Sequence, residues 1–123
     1  HSESTIGDHV TIGIQVTIGR GVVVGRYTVI ESHAHIGDGV SIGPRTQIGR
    51  GALVEQDAVV GTRVTIGSRV VIGAGAEIGK RVQVAAEAVV GAQARIGVNA
   101  RVTNRARVPT RRLVARNRSF AEQ

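Results

Sequence analysis

The 123-residue sequence contains no cysteine, methionine or tryptophan, and only one tyrosine and one phenylalanine. Without cysteine, the chain has no disulfide framework, no thiolate nucleophile and no cysteine-based metal site. Aromatic side chains supply much of the volume in an ordinary globular core. Their near absence predicts a thin interior that is lined by aliphatic and small side chains.

Long apolar runs are also absent. No segment approaches the roughly 20 consecutive apolar residues that span a bilayer as a helix, and no signal-peptide pattern is present. We therefore expect a cytoplasmic protein without a membrane span. Because the sequence lacks methionine, it does not include its own initiating residue, so we also expect further residues upstream of His1.

What the sequence does contain is a six-residue repeat. From Ile6 to Val108, every sixth residue is isoleucine or valine, which makes eighteen positions without an insertion. The residue two places before each of them is small or β-branched, and glycine follows thirteen of the eighteen. Strict self-similarity at a short period is the signature of a stacked repeat architecture.

Each hexad predicts a short strand followed by a corner. The segment Val10-Thr11-Ile12 alternates inward, outward and inward, as a strand with buried ends does. We expect the next three residues, Gly13-Ile14-Gln15, to form a corner in which glycine permits the sharp backbone angles. One hexad buries almost nothing, so it must stack on equivalent strands in the next coil, about 4.8 Å away. The period of six excludes an amphipathic helix.

Over roughly residues 5 to 108, the order is an aliphatic residue, glycine, two variable residues, a small residue and one more variable residue. This pattern resembles the hexapeptide-repeat family, in which many members are acyltransferases. The resemblance implies an all-β fold, a left-handed parallel β-helix of about six triangular coils. It also implies a homotrimer that transfers an acyl group from coenzyme A or acyl carrier protein to an amine or hydroxyl of a sugar-type acceptor.

With three hexads in a coil, residues eighteen apart lie one above another. One outward face then contains a contiguous apolar strip, Leu53-Val71-Val89. An exposed apolar strip is a candidate protein–protein contact, so we predict that the homotrimer forms through this face. The alternative is that the C-terminal segment of the same chain folds back over the strip.

A column of arginines occupies one corner of the predicted β-helix. The corner stacks His9, Tyr27, Arg45, Arg63, Arg81 and Asn99. Three arginines about 5 Å apart repel one another unless an anion or a carboxylate lies between them. We therefore assign Arg45, Arg63 and Arg81 as candidate cofactor-binding residues for phosphate groups or another small anion. Solvated arginines that point apart are the alternative.

The last part of the sequence is basic. Eight of the sixteen lysines and arginines lie between Arg95 and Arg118, and no acidic residue lies between Glu87 and Glu122. We place the β-helix at residues 1–108 and a basic C-terminal tail at residues 109–123, with a capping helix from about Arg111 to Ala121. No specific nucleic-acid binding is predicted, because a stacking platform of aromatic residues and a recognised module are both missing.

The candidate catalytic residues are two histidines in the segment IESHAHIGDG, residues 30–39. The segment is similar to a motif of sugar and lipid A acyltransferases, where a histidine acts as general base on the acceptor. Ser32 stands where the family has that histidine, and His33 occupies its aspartate slot. The resemblance therefore implies His33 as the first catalytic candidate, oriented by Glu31, and His35 as the second. The alternative is two surface histidines.

Two further expectations concern function. No metal site is predicted, because His33 and His35 point from different surfaces and the other two histidines lie more than a coil away. The uninterrupted repeat also suits a non-catalytic trimerisation or stacking domain, since many enzymes of this fold extrude a loop from one coil to build their cleft. The sequence leaves the enzyme and the structural domain both open.

Overall fold

The repeat folds into short, regularly spaced strands. A computed structural model describes residues 4–115 and the backbone of residues 119–120. The strands are β1 (Thr5–Ile6), β2 (Thr11–Ile12), β3 (Thr17–Ile18), β4 (Val23–Val24), β5 (Val29–Ile30), β6 (His35–Ile36), β7 (Ser41–Ile42), β8 (Gln47–Ile48), β9 (Leu53–Val54), β10 (Val59–Val60), β11 (Thr65–Ile66), β12 (Val71–Ile72), β13 (Glu77–Ile78), β14 (Gln83–Val84), β15 (Val89–Val90), β16 (Arg95–Ile96), β17 (Arg101–Val102), β18 (Arg107–Val108), β19 (Leu113–Val114) and β20 (Ser119–Phe120). No helix occurs among these described residues.

The strands form three parallel sheets, and each strand pairs with the strands three places before and after it. The first sheet has the order β1-β4-β7-β10-β13-β16-β19, the second β2-β5-β8-β11-β14-β17-β20, and the third β3-β6-β9-β12-β15-β18. The register is eighteen residues, so that Val71 pairs with Leu53 on one side and with Val89 on the other. This is a parallel β-helix of about six turns, in agreement with the left-handed coil that the resemblance implies.

Backbone hydrogen bonds between coils hold the strands in place. The amide of Val59 donates to the carbonyl of Ala76 at 2.8 Å, and the amide of Thr65 donates to Val82 at 3.0 Å. A strand of two residues has no stability of its own, so its order depends on the coils above and below.

The interior is as thin as the composition predicts. It consists of stacked aliphatic side chains and alanines, among which Ile48, Ala52 and Ala58 have no exposed surface. Two threonines, Thr28 and Thr46, are the buried polar residues within the described chain. The Thr46 hydroxyl donates to the carbonyl of Gly61 at 2.8 Å, and Thr28 makes the same bond one coil earlier at 3.0 Å. Both hydroxyls therefore satisfy their hydrogen-bonding needs inside the core.

The glycines that follow the aliphatic residues have a different role from the one expected. The left-handed backbone falls two residues later in each hexad, where φ lies near +60° and non-glycine residues such as Gln15 (φ 59°) and Gln93 (φ 60°) occupy the position. The glycines themselves lie against the next coil: a Cβ added to Gly61 would sit 2.9 Å from the carbonyl carbon of Gly79. Close approach of coils, rather than backbone angle, explains these glycines.

The C-terminal segment departs from the predicted tail and capping helix. After Val108 the chain continues into β19, which pairs with β16, and into β20, which pairs with β17. The physical reason is that Val114 and Phe120 stay on the six-residue step, so the strand register continues. The predicted helix is therefore wrong for those residues of this segment that the structure describes. Residues 116–118 and 121–123 lie outside the described residues.

Within the described part of the chain, no helix is long and apolar enough to cross a membrane.

Candidate functional site

The three corners of the coil carry different side chains. We call the corner between the first and second sheets the arginine corner, after Arg45, Arg63 and Arg81, and the corner between the second and third sheets the histidine corner, after His33. A third corner joins the third sheet to the first. The outer positions of every corner recur every eighteen residues, so a functional site at a corner contains side chains from several coils.

The histidine corner contains a groove of about 360 Å³. His33 lies at one end of it, exposed, with its backbone in the left-handed region (φ 68°). Its amide donates to the carbonyl of Ile14 in the preceding coil at 3.0 Å, which fixes where the side chain begins. The groove is lined by His33, Arg50, Gly51, Ser68, Arg69, Ala86 and Glu87.

Charge in this groove is partly compensated. Glu87 accepts a hydrogen bond from the Nε of Arg105 at 2.9 Å and lies 3.7 Å from a terminal guanidinium nitrogen of Arg69. In contrast, Arg50 forms no ion pair with any residue between 4 and 115. The histidine corner therefore combines an imidazole with one uncompensated guanidinium, a pairing that suits a ligand with both a reacting group and a phosphate.

The predicted orienting contact from Glu31 is not seen. Among the described residues, no hydrogen bond joins Glu31 to the imidazole of His33, and both side chains are exposed. His33 thus projects from a fixed backbone, and no side chain among the described residues forms a hydrogen bond that sets its ring orientation.

His35 belongs to another surface. It is the outward residue of β6 in the third sheet, and it lines a shallow groove together with Asp38, Glu55 and Gln56 towards the third corner. The carboxylate of Asp38 accepts a hydrogen bond from the amide of Arg20 at 2.9 Å. The two candidate histidines therefore line separate grooves, and the structure does not bring them together.

The apolar strip lies on the third sheet, as the eighteen-residue map predicts. Leu53, Val71 and Val89 are neighbours in adjacent strands and are half-buried within the single chain. More exposed valines occur on the first sheet, where Val23 and Val59 retain 47% and 44% of their surface. Strands β19 and β20 join the first and second sheets, so the described C-terminal residues do not cover the strip.

The arginine corner also holds a groove, but not one shared with His33. A ring stack begins this corner: His9 and Tyr27 lie 4.8 Å apart between centroids, and the Arg45 guanidinium lies 5.5 Å from the Tyr27 centroid. The second sheet separates this corner from the histidine corner. The groove is lined by Arg26, Pro44, Arg45, Thr62, Arg63, Lys80 and Arg81.

Several residues of the histidine groove were not predicted from the sequence, although the eighteen-residue step indicates them. Stepping eighteen residues from His33 leads to Gly51, Arg69 and Glu87, and the same step from its neighbour Ser32 leads to Arg50. The same map that located the arginine column would have found these residues. Among the described residues, no group of three or more metal-ligating side chains lies close enough to hold a metal ion.

Comparison with known families settles the architecture. The family model for bacterial transferase hexapeptide (six repeats) matches residues 3–38, 15–47 and 45–80, which together exceed half of the chain. The chain belongs to this family. Membership in the hexapeptide family confirms the resemblance that the repeat carries. No curated protein sequence matches the chain.

Solved structures of hexapeptide enzymes share this fold. Perosamine N-acetyltransferase from Caulobacter crescentus, in complex with coenzyme A and GDP-perosamine, superposes with a TM-score of 0.85 at 19% identity over 90% of this chain and 53% of its own. For the acetyltransferase domain of PglB from Neisseria gonorrhoeae, the TM-score is 0.65 at 20% identity over 88% and 52%. For UDP-N-acetylglucosamine O-acyltransferase from Moraxella catarrhalis, it is 0.55 at 18% identity over 98% and 64%. The chain spans about half the length of the first two relatives.

Proposed function

We propose that this chain is the β-helix part of an acyltransferase that moves an acyl group from coenzyme A or acyl carrier protein to an amine or hydroxyl of a sugar-type acceptor. The observation that carries the proposal is the groove in which His33 lies with Arg50. Family membership supports it, as do structural relatives that hold coenzyme A or acetyl coenzyme A.

The groove supplies two parts of the chemistry. The neutral imidazole of His33 accepts a proton from the acceptor amine or hydroxyl as its nitrogen or oxygen attacks the thioester carbonyl. The tetrahedral intermediate then breaks its bond to the donor sulfur, which takes the proton from His33 and leaves as a thiol, and the acyl group remains on the acceptor. Arg50 binds a phosphate of the donor through charge-assisted hydrogen bonds. His35 lies in the neighbouring groove with Asp38 and Glu55, where polar acceptor groups can bind.

A homotrimer would complete this site. In the proposed assembly, the apolar strip of the third sheet packs against a neighbouring subunit. The histidine corner borders the third sheet, so its groove would lie beside that interface. Acyl donor and acceptor then bind between subunits, where each subunit excludes water from the other's groove.

The test is acyl transfer by the full protein after His33→Ala. Loss of a general base lowers the rate by about 10²–10⁴-fold, while binding of coenzyme A in calorimetry stays within about threefold of the unchanged protein. His9→Ala is the matched control, because His9 stacks on Tyr27 at the other corner. If coenzyme A does not bind and His33→Ala leaves every activity of the parent protein intact, this function is excluded.

One observation favours a structural domain as a second candidate. From β1 to β19, every strand begins six residues after the previous one, so no inserted loop leaves the described coils to wall a cleft. A non-catalytic trimerisation domain would keep its assembly, measured by light scattering, when all four histidines are replaced. It would also show no donor binding, which distinguishes it from the acyltransferase.

A further inference from the structure

The arginine corner presents a ladder of positive charge. Arg45, Arg63 and Arg81 occupy the same position in three successive coils, which are spaced about 4.8 Å apart. All three are exposed. Arg26 and Lys80 stand beside them in the adjacent column, and all five cations line one groove of about 460 Å³. A ladder of this kind concentrates positive potential along one edge of the β-helix.

The backbone holds the ladder rigidly. The three arginines have φ values of 61°, 61° and 60°, and their amides donate to carbonyls of the preceding coil at 2.9, 3.0 and 2.9 Å. Their α-carbons therefore cannot move apart to relieve repulsion. The guanidinium groups can separate only by side-chain rotation, and an anion between them would remove the need to do so.

No acidic residue of the described chain forms an ion pair with these arginines. Between residues 4 and 115, the ion pairs of the protein involve Glu77 and Glu87, which lie on the first sheet and at the histidine corner. The residues that line the groove include no acidic side chain. In the two outer columns of this corner the one acidic residue is Asp8, in the coil before Arg26.

The shape and chemistry of the groove select among anions. Two steps of about 4.8 Å make the ladder about 10 Å tall, which is longer than one phosphate needs. Arginine binds phosphate oxygens in bidentate fashion, and Thr62, in the same column as Arg26 and Lys80, also lines the groove. At the first coils of this corner, His9 stacks on the Tyr27 ring and the Arg45 guanidinium lies near the same ring.

We propose that the arginine corner is a binding site for a chain of consecutive phosphoryl groups, either as a free oligophosphate or as the phosphate chain of a nucleotide. Each rung of the ladder contacts one phosphoryl group, while Arg26 and Lys80 flank the chain. The site is separate from the proposed acyl-donor groove, because the arginine corner lies opposite the third sheet and away from the histidine corner.

The test measures binding of inorganic tripolyphosphate to the full protein by calorimetry at low ionic strength. The variant R45Q/R63Q/R81Q removes the ladder without disturbing the backbone, because glutamine already occupies the same left-handed position at Gln15 and Gln93. The control R20Q/R101Q/R107Q removes the same charge from three exposed arginines that lie in different columns.

We expect the ladder variant to lose at least about tenfold in tripolyphosphate affinity, and the control to lose less than about threefold. Equal losses in both variants would overturn the proposal, because net charge alone would then explain binding. A different outcome is that ATP binds more than about tenfold more tightly than tripolyphosphate and loses that affinity in the ladder variant. This result would support the site and identify a nucleotide as the source of the phosphates.

Binding of two further ligands, a single-stranded oligonucleotide and coenzyme A, distinguishes an oligophosphate site from other functions of the arginine corner. A single-stranded oligonucleotide that binds more tightly than tripolyphosphate would overturn the proposal in favour of a nucleic-acid surface. Loss of coenzyme A binding in the ladder variant would also overturn it, because the arginines would then hold the acyl donor. If coenzyme A binds nowhere while tripolyphosphate binds the ladder, the oligophosphate site stands and the acyltransferase fails.

Discussion

The arginine corner and the histidine corner share one backbone but differ in charge compensation. At both, arginines occupy left-handed positions in one column of the coil: Arg63 and Arg81 are one coil apart at the first corner, and Arg69 and Arg105 are two coils apart at the second. At the histidine corner, Glu87 lies between the two arginines and contacts both. Among the residues that the structure describes, no carboxylate lies between the arginines of the arginine corner. The β-helix backbone therefore fixes the position of each side chain. The residue type at each position determines whether a column of side chains is neutral or charged.

Packing between coils differs as well. At the arginine corner, the residue after each aliphatic position is glycine in all six coils, from Gly7 to Gly97. At the histidine corner, glutamate, alanine and threonine replace it at Glu31, Ala85 and Thr103. The arginine corner therefore has no side chain at this position, whereas the histidine corner has three.

The largest expected effect tests the proposed homotrimer and the face through which it forms. Val71→Glu places a charge in the middle of the apolar strip, where a contact with another subunit would bury it without a partner. We expect a trimer to dissociate to monomers in light scattering. Val59→Glu is the matched control, because Val59 is an exposed valine of the first sheet, and it should leave the assembly intact. Dissociation by Val59→Glu alone would place the interface on the first sheet.

The next effect concerns the close approach of coils at the arginine corner. The Cβ of a Gly61→Ala variant would lie 2.9 Å from backbone atoms of the next coil, so those coils must separate. We expect the free energy of unfolding to fall by about 1–3 kcal/mol in urea titrations. Gly75→Gln should cost less than about 1 kcal/mol, because Gln93 occupies the same position one coil later. A loss for Gly61→Ala no larger than that for Gly75→Gln would contradict the requirement for close coil contact at Gly61.

The smallest expected effect comes from a substitution that makes the charge of the histidine corner resemble that of the arginine corner. Glu87→Gln keeps an acceptor for Arg105 but removes the charge that compensates Arg69 and Arg105. Exposed ion pairs contribute little, so we expect the free energy of unfolding to change by less than about 1 kcal/mol.

The same substitution should affect anion binding. In the R45Q/R63Q/R81Q background, Glu87→Gln should raise tripolyphosphate affinity by roughly threefold, measured by calorimetry. No gain would show that an uncompensated arginine column is insufficient, and that the flanking cations or the groove shape of the arginine corner are also required.

The fold followed from the sequence because its determinants are local and repeated. Ile6, Ile12 and the positions that continue their step define the inward face, and the period of six leaves few ways to bury that face. The same periodicity predicted that Leu53, Val71 and Val89 would be neighbours. The predicted helix at the C-terminal end was wrong because Val114 remains on the six-residue step and continues the strand register.

The candidate site was less predictable, because it depends on residues far apart in sequence. His33, Arg50 and Glu87 share a groove only because three coils place them at one corner, and no local motif links them. The role of the glycines was likewise hidden, since close approach between coils is a property of the stack rather than of any hexad.

By itself, the sequence determined the β-helix, its register and the composition of every outward column. The reason is that stacking the repeats in register buries the aliphatic residues of every hexad away from water. Only the tertiary structure decided which columns meet in one groove and which charges find partners. Those outcomes depend on side chains brought together across coils, over distances of a few ångströms that spacing along the chain does not specify.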